Sequence, residues 1–359
     1  MTRGRIAMVV SGFPRRSETF ALGELLALDR AALLAGVFAT KPGDGAAPHP
    51  DVARLGVPVE TLPQGTPREQ ADALVARLRR AAVSGVHGYF AHRPAAVAAC
   101  AARQLRVPYG FTGHARDVRK VPGRELTERA HAARCVIACN ADVAGELGAL
   151  GIAARRVPHG VDVDRFRPAA SVERSGPLRL LAVGRLVEKK GFDVLVRAVA
   201  RLDIPFELRI VGDGPEAPRL LREIDALHLQ QHVELAGGRT HADLPAEYAA
   251  ADLVVVPSVV DRTGDRDGLP NVILEAMACA RPVIASDVGA IASAVADGRT
   301  GWLVPPGQDA PLEAAIRTCA ARADLRHRFG AAGRAQVERE FALTRCVARL
   351  QTVMVEAYA

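Results

Sequence analysis

The chain has 359 residues, which predicts two domains rather than one, and its hydrophobic share of 49% is enough to fill two cores. Aromatic residues make up only 4%, which argues against the stacking platforms that bind single-stranded nucleic acid. The net charge of +7 is uneven: residues 1–170 hold 24 Lys and Arg against 15 Asp and Glu, whereas residues 171–359 hold 23 against 25. The basic first half favours an anionic partner, although short basic stretches are also typical of solvated helix faces.

In the first half, short apolar runs alternate with amphipathic helical patterns. Strands are predicted at 6–10, 36–40, 57–62, 86–91, 109–112 and 135–138, and helices at 19–34, 67–83, 94–105, 125–133 and 140–150. Strands that alternate with helices in this way imply a parallel sheet covered on both faces.

A second alternating series follows a stretch that is rich in Pro, Ser and charge. Its strands are predicted at 178–183, 207–211, 233–236, 253–257, 282–285 and 302–304, and its helices at 192–202, 215–227, 242–250, 271–279, 290–296 and from 311 onward. We therefore expect an α/β protein with two doubly wound, Rossmann-like domains. The predicted boundaries are a first domain at 1–165, a linker at 166–177, a second domain at 178–340 and a final helix at 341–359 that packs back toward the first domain.

The six cysteines are scattered without zinc spacing, which fits free thiols in a reducing compartment. A strand pattern begins almost at the N-terminus, so we expect no signal peptide. No apolar run approaches the roughly 20 residues that span a bilayer. These features predict a cytoplasmic protein and leave open peripheral attachment to the inner face of the cytoplasmic membrane.

The stretch from Asp267 to Ala278 places one carboxylate in a Gly-Pro loop and a second, Glu275, eight positions later in a helix. Pro270 suits the first turn of a helix, where its missing N–H costs nothing. The free amides around Asn271 would then form a seat for a phosphate. An ordinary capped helix with a buried apolar face explains the same pattern equally well.

A similar seat is predicted where the strand ending at Val183 leads through Gly184 and Arg185 to a helix at Gly191. Arg185 and Lys190 would bring two cations to that helix N-terminus, where they oppose the helix dipole. An anionic ligand such as a diphosphate would offset that cost. A glycine fingerprint of the dinucleotide-binding type and a Gly-rich Lys-Ser/Thr loop are both missing, which weakens dehydrogenase and P-loop interpretations.

Together these motifs resemble glycosyltransferase family 4, which consists of retaining enzymes of the GT-B fold. The resemblance extends over essentially the whole chain and is closest to bacterial exopolysaccharide and colanic-acid-type members. The motifs are Ser17-Glu18-Thr19-Phe20, Phe111-Thr112-Gly113-His114-Ala115-Arg116-Asp117, Pro158-His159-Gly160-Val161-Asp162, Val183-Gly184-Arg185 with Glu188-Lys189-Lys190-Gly191, Val211-Gly212-Asp213-Gly214-Pro215 and Asp267 to Ala278.

The resemblance implies a role for individual residues. Arg185 and Lys190 would bind the donor diphosphate, Glu275 the ribose hydroxyls, and His114 the donor sugar near its anomeric carbon. Asp267 stands where the family usually has a glutamate that contacts the donor sugar, and it is one methylene shorter. The remaining donor-binding positions would be the close-approach glycine Gly12, Gly237, Gly238 and Arg239 near the nucleobase, and Gly268, Leu269, Pro270 and Asn271 at the phosphate.

The implied reaction moves a sugar from a nucleotide-diphosphate sugar, UDP- or GDP-linked, to a saccharide or lipid-linked acceptor with retention of configuration. It needs no separate cofactor and no metal, because two cations and a helix N-terminus stabilise the leaving phosphate. The acidic residues Asp261, Asp265 and Asp267 also allow a metal site, although Arg262 and Arg266 interleave with them. His87 and His92 are weaker candidates that would face the acceptor.

Three alternatives share part of this pattern: a nucleotide-sugar epimerase, a sugar phosphorylase and a non-catalytic protein that binds nucleotide sugars. A phosphorylase would normally carry a lysine-bound pyridoxal cofactor, and the few lysines here lie in other contexts. The combination of Arg185, Lys190 and Glu275 argues against a degenerate binding protein. An anionic membrane surface is a further partner that the positive first half allows, and nucleic acid is not expected.

Overall fold

The computed structural model describes residues 4–15, 19–45, 49–79, 81–169 and 176–359. The chain divides into two compact units, Met1–Gly160 with Leu343–Ala359, and Val161–Ala342. Ser17 and Glu18 of the first motif lie outside the described residues, as do 170–175 of the expected linker. The sequence-based domain boundaries therefore remain predictions, although Phe166 at the start of that linker is already fully buried in the second unit.

The first unit is built on a seven-stranded parallel sheet with the order β3-β2-β1-β4-β5-β6-β7. Apolar residues on its two faces form two separate core clusters. Its strands are β1 (Arg5–Phe13), β2 (Leu34–Pro42), β3 (Val59–Thr61), β4 (Val83–Gly88), β5 (Tyr109–Gly113), β6 (Cys135–Ala138) and β7 (Arg155–Arg156). Its first helices are α1 (Thr19–Arg30), α2 (Pro67–Leu78), α3 (Arg93–Leu105), α4 (Ala115–Lys120), α5 (Gly123–His131) and α6 (Ala141–Ala149).

The second unit repeats the plan with a six-stranded parallel sheet of order β10-β9-β8-β11-β12-β13. The reversal of strand order between β8 and β11 is the switch point at which such sheets bind ligands. Its strands are β8 (Leu178–Val183), β9 (Phe206–Val211), β10 (Val233–Leu235), β11 (Leu253–Val256), β12 (Val283–Ser286) and β13 (Trp302–Val304). Its helices are α7 (Phe192–Val199), α8 (Ala217–Ala226), α9 (Leu244–Ala250), α10 (Asn271–Ala278), α11 (Asp309–Ala321) and α12 (Ala323–Gln336).

The last helix, α13 (Leu343–Tyr358), belongs to the first unit. Leu350, Val353 and Met354 pack into the cluster that also contains the buried face of α1. At the end of α13, the Tyr358 hydroxyl lies 2.8 Å from His87 Nδ1, and His87 Nε2 lies 2.8 Å from Thr112 Oγ1. His87 is fully buried by these contacts, so the expectation that it faces an acceptor is wrong.

Several helix predictions were too long or missed a break. The helix expected at 19–34 ends at Arg30 because Ala32 has a positive φ of 56°, after which β2 begins. The helix expected at 290–296 is only a 3-10 turn at Ile291–Ser293. The tail expected to be helical from 311 contains two breaks, and the short helix α4 was not predicted.

Candidate functional site

In the second unit, the loop after β8 and the segment before α10 bring together a group that we call the lysine–aspartate cluster: Lys189, Lys190, Ser258, Asp265 and Asp267. Lys190 Nζ lies 2.7 Å from Asp267 Oδ2, and the Ser258 hydroxyl donates to the same oxygen at 2.8 Å. Lys189 Nζ lies 3.6 Å from Asp267 Oδ1 and 3.2 Å from Asp265 Oδ2. Both oxygens of Asp267 therefore have a cationic neighbour.

The ionisation of Asp267 follows from these contacts. Burial acts to raise the pKa of Asp267, but Lys190 first and Lys189 second outweigh it, and the net pKa lies below the ordinary value. Asp267 is only 8% exposed. Its carboxylate is thus charged at neutral pH because the two lysines compensate for lost hydration.

Two glycines allow the segments that carry the cluster to approach each other. A Cβ on Gly191, which has φ +63°, would lie 2.0 Å from the Pro257 carbonyl oxygen. A Cβ on Gly289, with φ +58°, would lie 2.3 Å from the carbonyl oxygen of Asp267. Any side chain at either position would displace the backbone on which the cluster is mounted.

Helix α10 begins beside this cluster. Pro270 is its N-cap, not a residue of its first turn as expected, and no side chain caps the helix start. The Ile273 amide donates to the Pro270 carbonyl at 3.1 Å, which leaves the amides of Asn271 and Val272 to bind an anion. On the approach to the helix, the Gly268 carbonyl accepts a bond from the Ala290 amide at 3.1 Å, and Leu269 packs partly buried on the core.

Glu275 lies on the buried side of α10 and is held from α9. The Tyr248 hydroxyl donates to Glu275 Oε2 at 2.8 Å, and His241 Nε2 lies 3.7 Å from Oε1. Arg165 Nη1 in turn lies 2.8 Å from His241 Nδ1. Glu275 is fixed in orientation by neighbours that the sequence pattern did not indicate, because α9 and α10 meet only in the folded unit.

The segment after β10 forms a tight turn. Gly237 has φ +71°, and the Gly238 amide donates to Asp213 Oδ1 at 3.0 Å. The guanidinium of Arg239 contacts Glu247 at 3.0 Å and the Ala236 carbonyl at 2.9 Å. Arg239 is therefore already engaged within the fold.

Arg185 does not join the lysine–aspartate cluster. Its side chain is exposed, and the guanidinium makes no hydrogen bond or ion pair with another described residue. Lys190, by contrast, is paired with Asp267. Arg185 is thus a cation open to solvent, and its expected convergence with Lys190 on one anion remains a prediction, since two cations that share an anion need not contact each other.

In the first unit, residues at the carboxyl ends of β4 and β5 meet residues of α1 and of the segment after β7 in a second group, the histidine cluster: Phe20, Glu24, Tyr89, Phe90, His114 and His159. The rings of His114 and His159 stack at 5.1 Å with an interplanar angle of 10°. Phe90 lies 4.6 Å from the His114 ring and Phe20 lies 4.2 Å from the His159 ring. Glu24 accepts from the Tyr89 hydroxyl and lies 2.7 Å from His159 Nδ1.

The two stacked histidines differ in charge. Burial lowers the pKa of His114 well below its ordinary value, and the neighbouring His159 lowers it further. Burial also acts to lower the pKa of His159, but the Glu24 carboxylate outweighs it and the pKa is raised to about 10. The cluster therefore holds a neutral His114 against a protonated His159.

His114 is fixed through its backbone, and its ring makes no hydrogen bond within the described part of the chain. The His114 amide donates to Asp117 Oδ1 at 2.6 Å, and the ring Nδ1 is 4.0 Å from that oxygen. Neither buried ring nitrogen has a hydrogen bond to a described residue. Burial raises the pKa of Asp117 to about 7, against the lowering effect of the Ala91 and His114 amides. A buried imidazole with two free nitrogens is ready to bind a polar group.

Gly12 lies within β1, which extends to Phe13, whereas the strand predicted from the sequence ended at residue 10. A Cβ there would come within 2.7 Å of the Pro42 carbonyl oxygen and 3.2 Å of Arg15 Nε. His92 is the N-cap of α3 and has a buried Nδ1 without a partner. Within the described residues, no group of His, Cys, Asp and Glu side chains has the arrangement of a metal site.

Sequence reasoning missed four residues that complete these clusters: Lys189, Tyr248, Glu24 and Tyr89. Lys189 stands beside Lys190, and adjacent lysines give no indication of which one is buried. Tyr248 and Tyr89 lie in apolar helical or strand-end contexts that predict a core position. Glu24 could have been found from the sequence, because it lies on the apolar face of α1 and a carboxylate is rarely buried unless it has a partner.

Comparison with known proteins gives a consistent result. A family model described as Glycosyl transferases group 1 matches residues 164–336, and one described as Glycosyltransferase Family 4 matches residues 24–165. The chain is similar to the colanic acid biosynthesis glycosyltransferase WcaL of Salmonella typhimurium, with 32% identity over 179 residues, 48% of this chain and 44% of WcaL. It is also similar to a GDP-mannose-dependent alpha-(1-6)-phosphatidylinositol monomannoside mannosyltransferase of Mycolicibacterium smegmatis, with 39% identity over 42% of this chain and 43% of the relative.

The chain spans a little under half the length of these two curated relatives. A solved structure, Anabaena HepE in complex with UDP, is similar with a TM-score of 0.85, 19% identity and coverage of 98% of this chain and all of HepE. At that identity the likeness concerns the fold alone. It confirms the predicted fold class, two Rossmann-like α/β domains of the GT-B kind.

Proposed function

We propose, from the premise that this chain belongs to glycosyltransferase family 4, that it transfers a sugar from a nucleotide-diphosphate sugar to a saccharide or lipid-linked acceptor. The pathway would be the synthesis of a cell-surface polysaccharide or glycoconjugate, as the name of WcaL suggests for that relative. The observation that carries the proposal is the lysine–aspartate cluster beside the uncapped start of α10. A lysine next to free amides at a helix N-terminus is a suitable seat for the phosphates of a nucleotide sugar.

The donor diphosphate would bind at this helix start. Lys190 and the first-turn amides of α10 supply charge and hydrogen bonds, and the open guanidinium of Arg185 supplies a second cation. Glu275 would accept hydrogen bonds from the ribose hydroxyls, since Tyr248 occupies Oε2 and leaves part of the carboxylate available. The turn at Gly237, Gly238 and Arg239 would border the nucleobase.

The chemistry follows from charge development. As the glycosidic bond to the diphosphate breaks, negative charge grows on the leaving phosphate, and the cations and amides stabilise it. We propose retention of configuration through same-face attack, in which the leaving phosphate accepts the acceptor proton. His114, neutral and with both nitrogens unpaired, is suited to accept or donate a hydrogen bond to the donor sugar.

The transfer is proposed to proceed without a metal and to move a hexose. Asp265 and Asp267, for which the sequence also allowed a metal site, are instead paired with Lys189 and Lys190. Lys190 and the exposed Arg185, together with a helix N-terminus, would supply the positive charge that a divalent cation would otherwise bring to the diphosphate. No separate cofactor enters this reaction.

The acceptor side is proposed to be anionic, with peripheral attachment to the inner face of the cytoplasmic membrane. The excess of Lys and Arg in residues 1–170 supports this. No helix among the described residues combines the length and apolar character needed to cross a bilayer. The M. smegmatis relative is named for a phosphatidylinositol mannoside substrate, which is a lipid-linked acceptor.

The test measures the binding of UDP and of GDP at pH 7 by thermal shift and by titration calorimetry. HepE was solved with UDP and the mannosyltransferase is named for GDP-mannose, so both bases are tried. We expect one of them to bind and to raise the melting temperature, because a ligand of the native state alone stabilises it. UMP and GMP, which lack the second phosphate, are the matched controls and should bind more weakly.

The proposal fails if neither diphosphate binds. Equal binding of mono- and diphosphates would place the nucleotide away from the lysine–aspartate cluster. Binding without turnover of any nucleotide sugar, alone or with acceptor, would instead favour a non-catalytic binding protein. The epimerase and phosphorylase alternatives are not favoured by the matched families.

A further inference from the structure

The lysine–aspartate cluster contains one more lysine than a donor phosphate site requires. Lys190 and Lys189 approach opposite oxygens of one carboxylate, at 2.7 Å from Oδ2 and 3.6 Å from Oδ1 of Asp267. Lys189 is the more deeply buried residue, 9% exposed, and no role for it came from the sequence. Its backbone is fixed as well, since its carbonyl accepts from the Val259 amide at 2.9 Å.

The two lysines differ in what else they contact. Lys189 Nζ is anchored a second time by Asp265 Oδ2 at 3.2 Å, and that aspartate belongs to a turn closed by its own amide on Asp261 Oδ1 at 3.0 Å. Lys190 has Asp267 as its acidic partner, and its stem runs past Gly184, where a Cβ would lie 3.4 Å from Lys190 Cε. Lys189 is therefore held in place, and Lys190 depends on a single ion pair.

A phosphate at the start of α10 would compete with Asp267 for Lys190. If Lys190 moved to the phosphate and Asp267 had no other partner, a buried carboxylate would be left uncompensated. Such a loss is strongly unfavourable in a protein interior, and the group responds by taking up a proton. A protonated Asp267 would no longer present two acceptor oxygens.

We propose that Lys189 is a positioning residue that keeps Asp267 ionised and in place while Lys190 exchanges its contact with Asp267 for the donor diphosphate. This inference rests on the proposed function, because it assigns a role in nucleotide-sugar binding. It also accounts for the aspartate at this position. The shorter side chain is compensated by a lysine that reaches it from the neighbouring loop and is itself anchored by Asp265.

The ionisable side chains that contact the Asp267 carboxylate in the described part of the chain are those of Lys190 and Lys189. Lys189 and Lys190 face it from the loop after β8, and Asp265 lies on its own segment with Lys189 between the two carboxylates. Ser258, from the end of β11, donates a hydrogen bond and does not titrate. The segment at Gly289 and Ala290, packed behind it, carries no ionisable side chain.

The experiment measures proton exchange on nucleotide binding. UDP and GDP are titrated calorimetrically into wild type, Lys189→Gln and Lys189→Arg at pH 7 in buffers of different ionisation enthalpy, which yields the protons taken up per nucleotide. In Lys189→Gln we expect uptake to exceed the wild-type value by about half a proton and the affinity to fall roughly tenfold, since burial raises the pKa of an uncompensated carboxylate by several units. Lys189→Arg should restore both values.

Two further variants separate positioning from other roles. In an Asp267→Asn background, Lys189→Gln should change neither proton uptake nor affinity, because the group on which Lys189 acts is gone. Arg262→Gln removes an exposed cation of the neighbouring segment and should match wild type. Melting temperatures of all variants are compared, and Lys189→Met replaces Lys189→Gln if the latter does not fold.

The outcomes are distinct. If wild type binds neither nucleotide, the proposed function falls. If wild type binds and Lys189→Gln has the wild-type affinity and proton count, the positioning role is wrong. If Lys189→Gln loses affinity equally in the Asp267→Asn background, Lys189 contacts the phosphate itself, and the inference is overturned in favour of a direct ligand.

Discussion

The histidine cluster of the first unit and the lysine–aspartate cluster of the second stand at corresponding places, the carboxyl ends of parallel strands, and they handle buried polarity in opposite ways. In the second unit each charged oxygen of Asp267 is matched by a lysine. In the first unit the buried ring of His114 is neutral, and its two nitrogens have no hydrogen-bond partner among the described residues. One cluster is electrostatically complete, whereas the other is incomplete.

This difference indicates what each cluster is suited to bind. A complete ion-pair network accepts a new ligand only by exchange, so it selects an anion strong enough to compete for Lys190. An incomplete one gains a hydrogen bond without losing any, so it suits a neutral hydroxyl group. His159 lies in the incomplete histidine cluster but carries a compensated charge like the groups of the lysine–aspartate cluster, because Glu24 keeps it protonated.

The largest expected effect is that of Lys190→Ala, which removes the exchangeable cation. Turnover of nucleotide sugar at limiting donor should fall by roughly 1000-fold or more, the size seen when a preorganised group that stabilises developing charge is lost. Steady-state kinetics check this, with Arg262→Gln as the matched loss of an exposed cation and circular dichroism to verify the fold. Wild-type turnover in Lys190→Ala would remove Lys190 from the site.

Next in size is the loss of the buried ion pair in the histidine cluster. His159→Gln should lower the free energy of unfolding by roughly 3 kcal/mol at pH 6, since Glu24 is left without its cation. Because the pKa of folded His159 is raised to about 10, this stabilisation is complete below its unfolded pKa and is lost as pH rises toward 10.

Urea unfolding of wild type and His159→Gln at pH 6 and pH 9.5 measures that difference. The exposed His131 of α5 provides the control, and His131→Gln should leave the unfolding free energy nearly unchanged at both pH values. A stability difference that is the same at pH 6 and pH 9.5 would show that His159 is neutral in the native protein. The histidine cluster would then contain no ion pair to compare with those of the lysine–aspartate cluster.

A smaller effect is expected for Glu275→Gln. The amide can still accept from Tyr248 but binds hydroxyl groups less strongly than a carboxylate, so affinity for UDP or GDP should fall about 10- to 100-fold. Calorimetry with the 2′-deoxynucleotide sharpens the test: wild type should discriminate against it and Glu275→Gln should do so less. Unchanged discrimination would assign the ribose to other residues.

The smallest effect concerns the overall charge of the first unit. Cosedimentation with anionic vesicles should weaken as the salt concentration rises from 50 to 300 mM, because the Debye screening length is only roughly 10 Å at 0.1 M salt and shortens further above it. Neutral vesicles should not bind the protein. Anionic-vesicle binding that is insensitive to salt would contradict an electrostatic attachment.

Much of the fold was predictable because buried parallel strands are short apolar runs and each is followed by a helical pattern. Membership of glycosyltransferase family 4, predicted from the motifs, is confirmed by the two family models. The exact ends of elements were not predictable, as at Ala32, where a positive φ ends α1 early. Local patterns do not encode such backbone conformations in a non-glycine residue.

Within the candidate sites, the sequence indicated which residue types lie near a helix start but not how they pair. Lys190 and Asp267 are 77 positions apart, and their ion pair depends on two loops that approach through Gly191 and Gly289. Arg185 was expected at the diphosphate and His87, as a weaker candidate, at the acceptor, yet the sequence did not indicate that the Arg185 side chain is exposed and that His87 is held between Thr112 and Tyr358. Pairing is a property of tertiary packing, and periodicity carries no information about it.

The return of α13 to the first unit has a consequence for dissecting the protein. The second unit is one continuous segment, Val161–Ala342, whereas the first is made of two segments from opposite ends of the chain. Removal of residues 343–359 would therefore expose the apolar face of α1 and leave His87 without Tyr358. Independent expression of the first unit calls for a circularly permuted gene or for a short linker between Gly160 and Leu343. The two residues are close enough for such a linker, since a Cβ on Gly160 would lie only 2.5 Å from the α-carbon of Leu343.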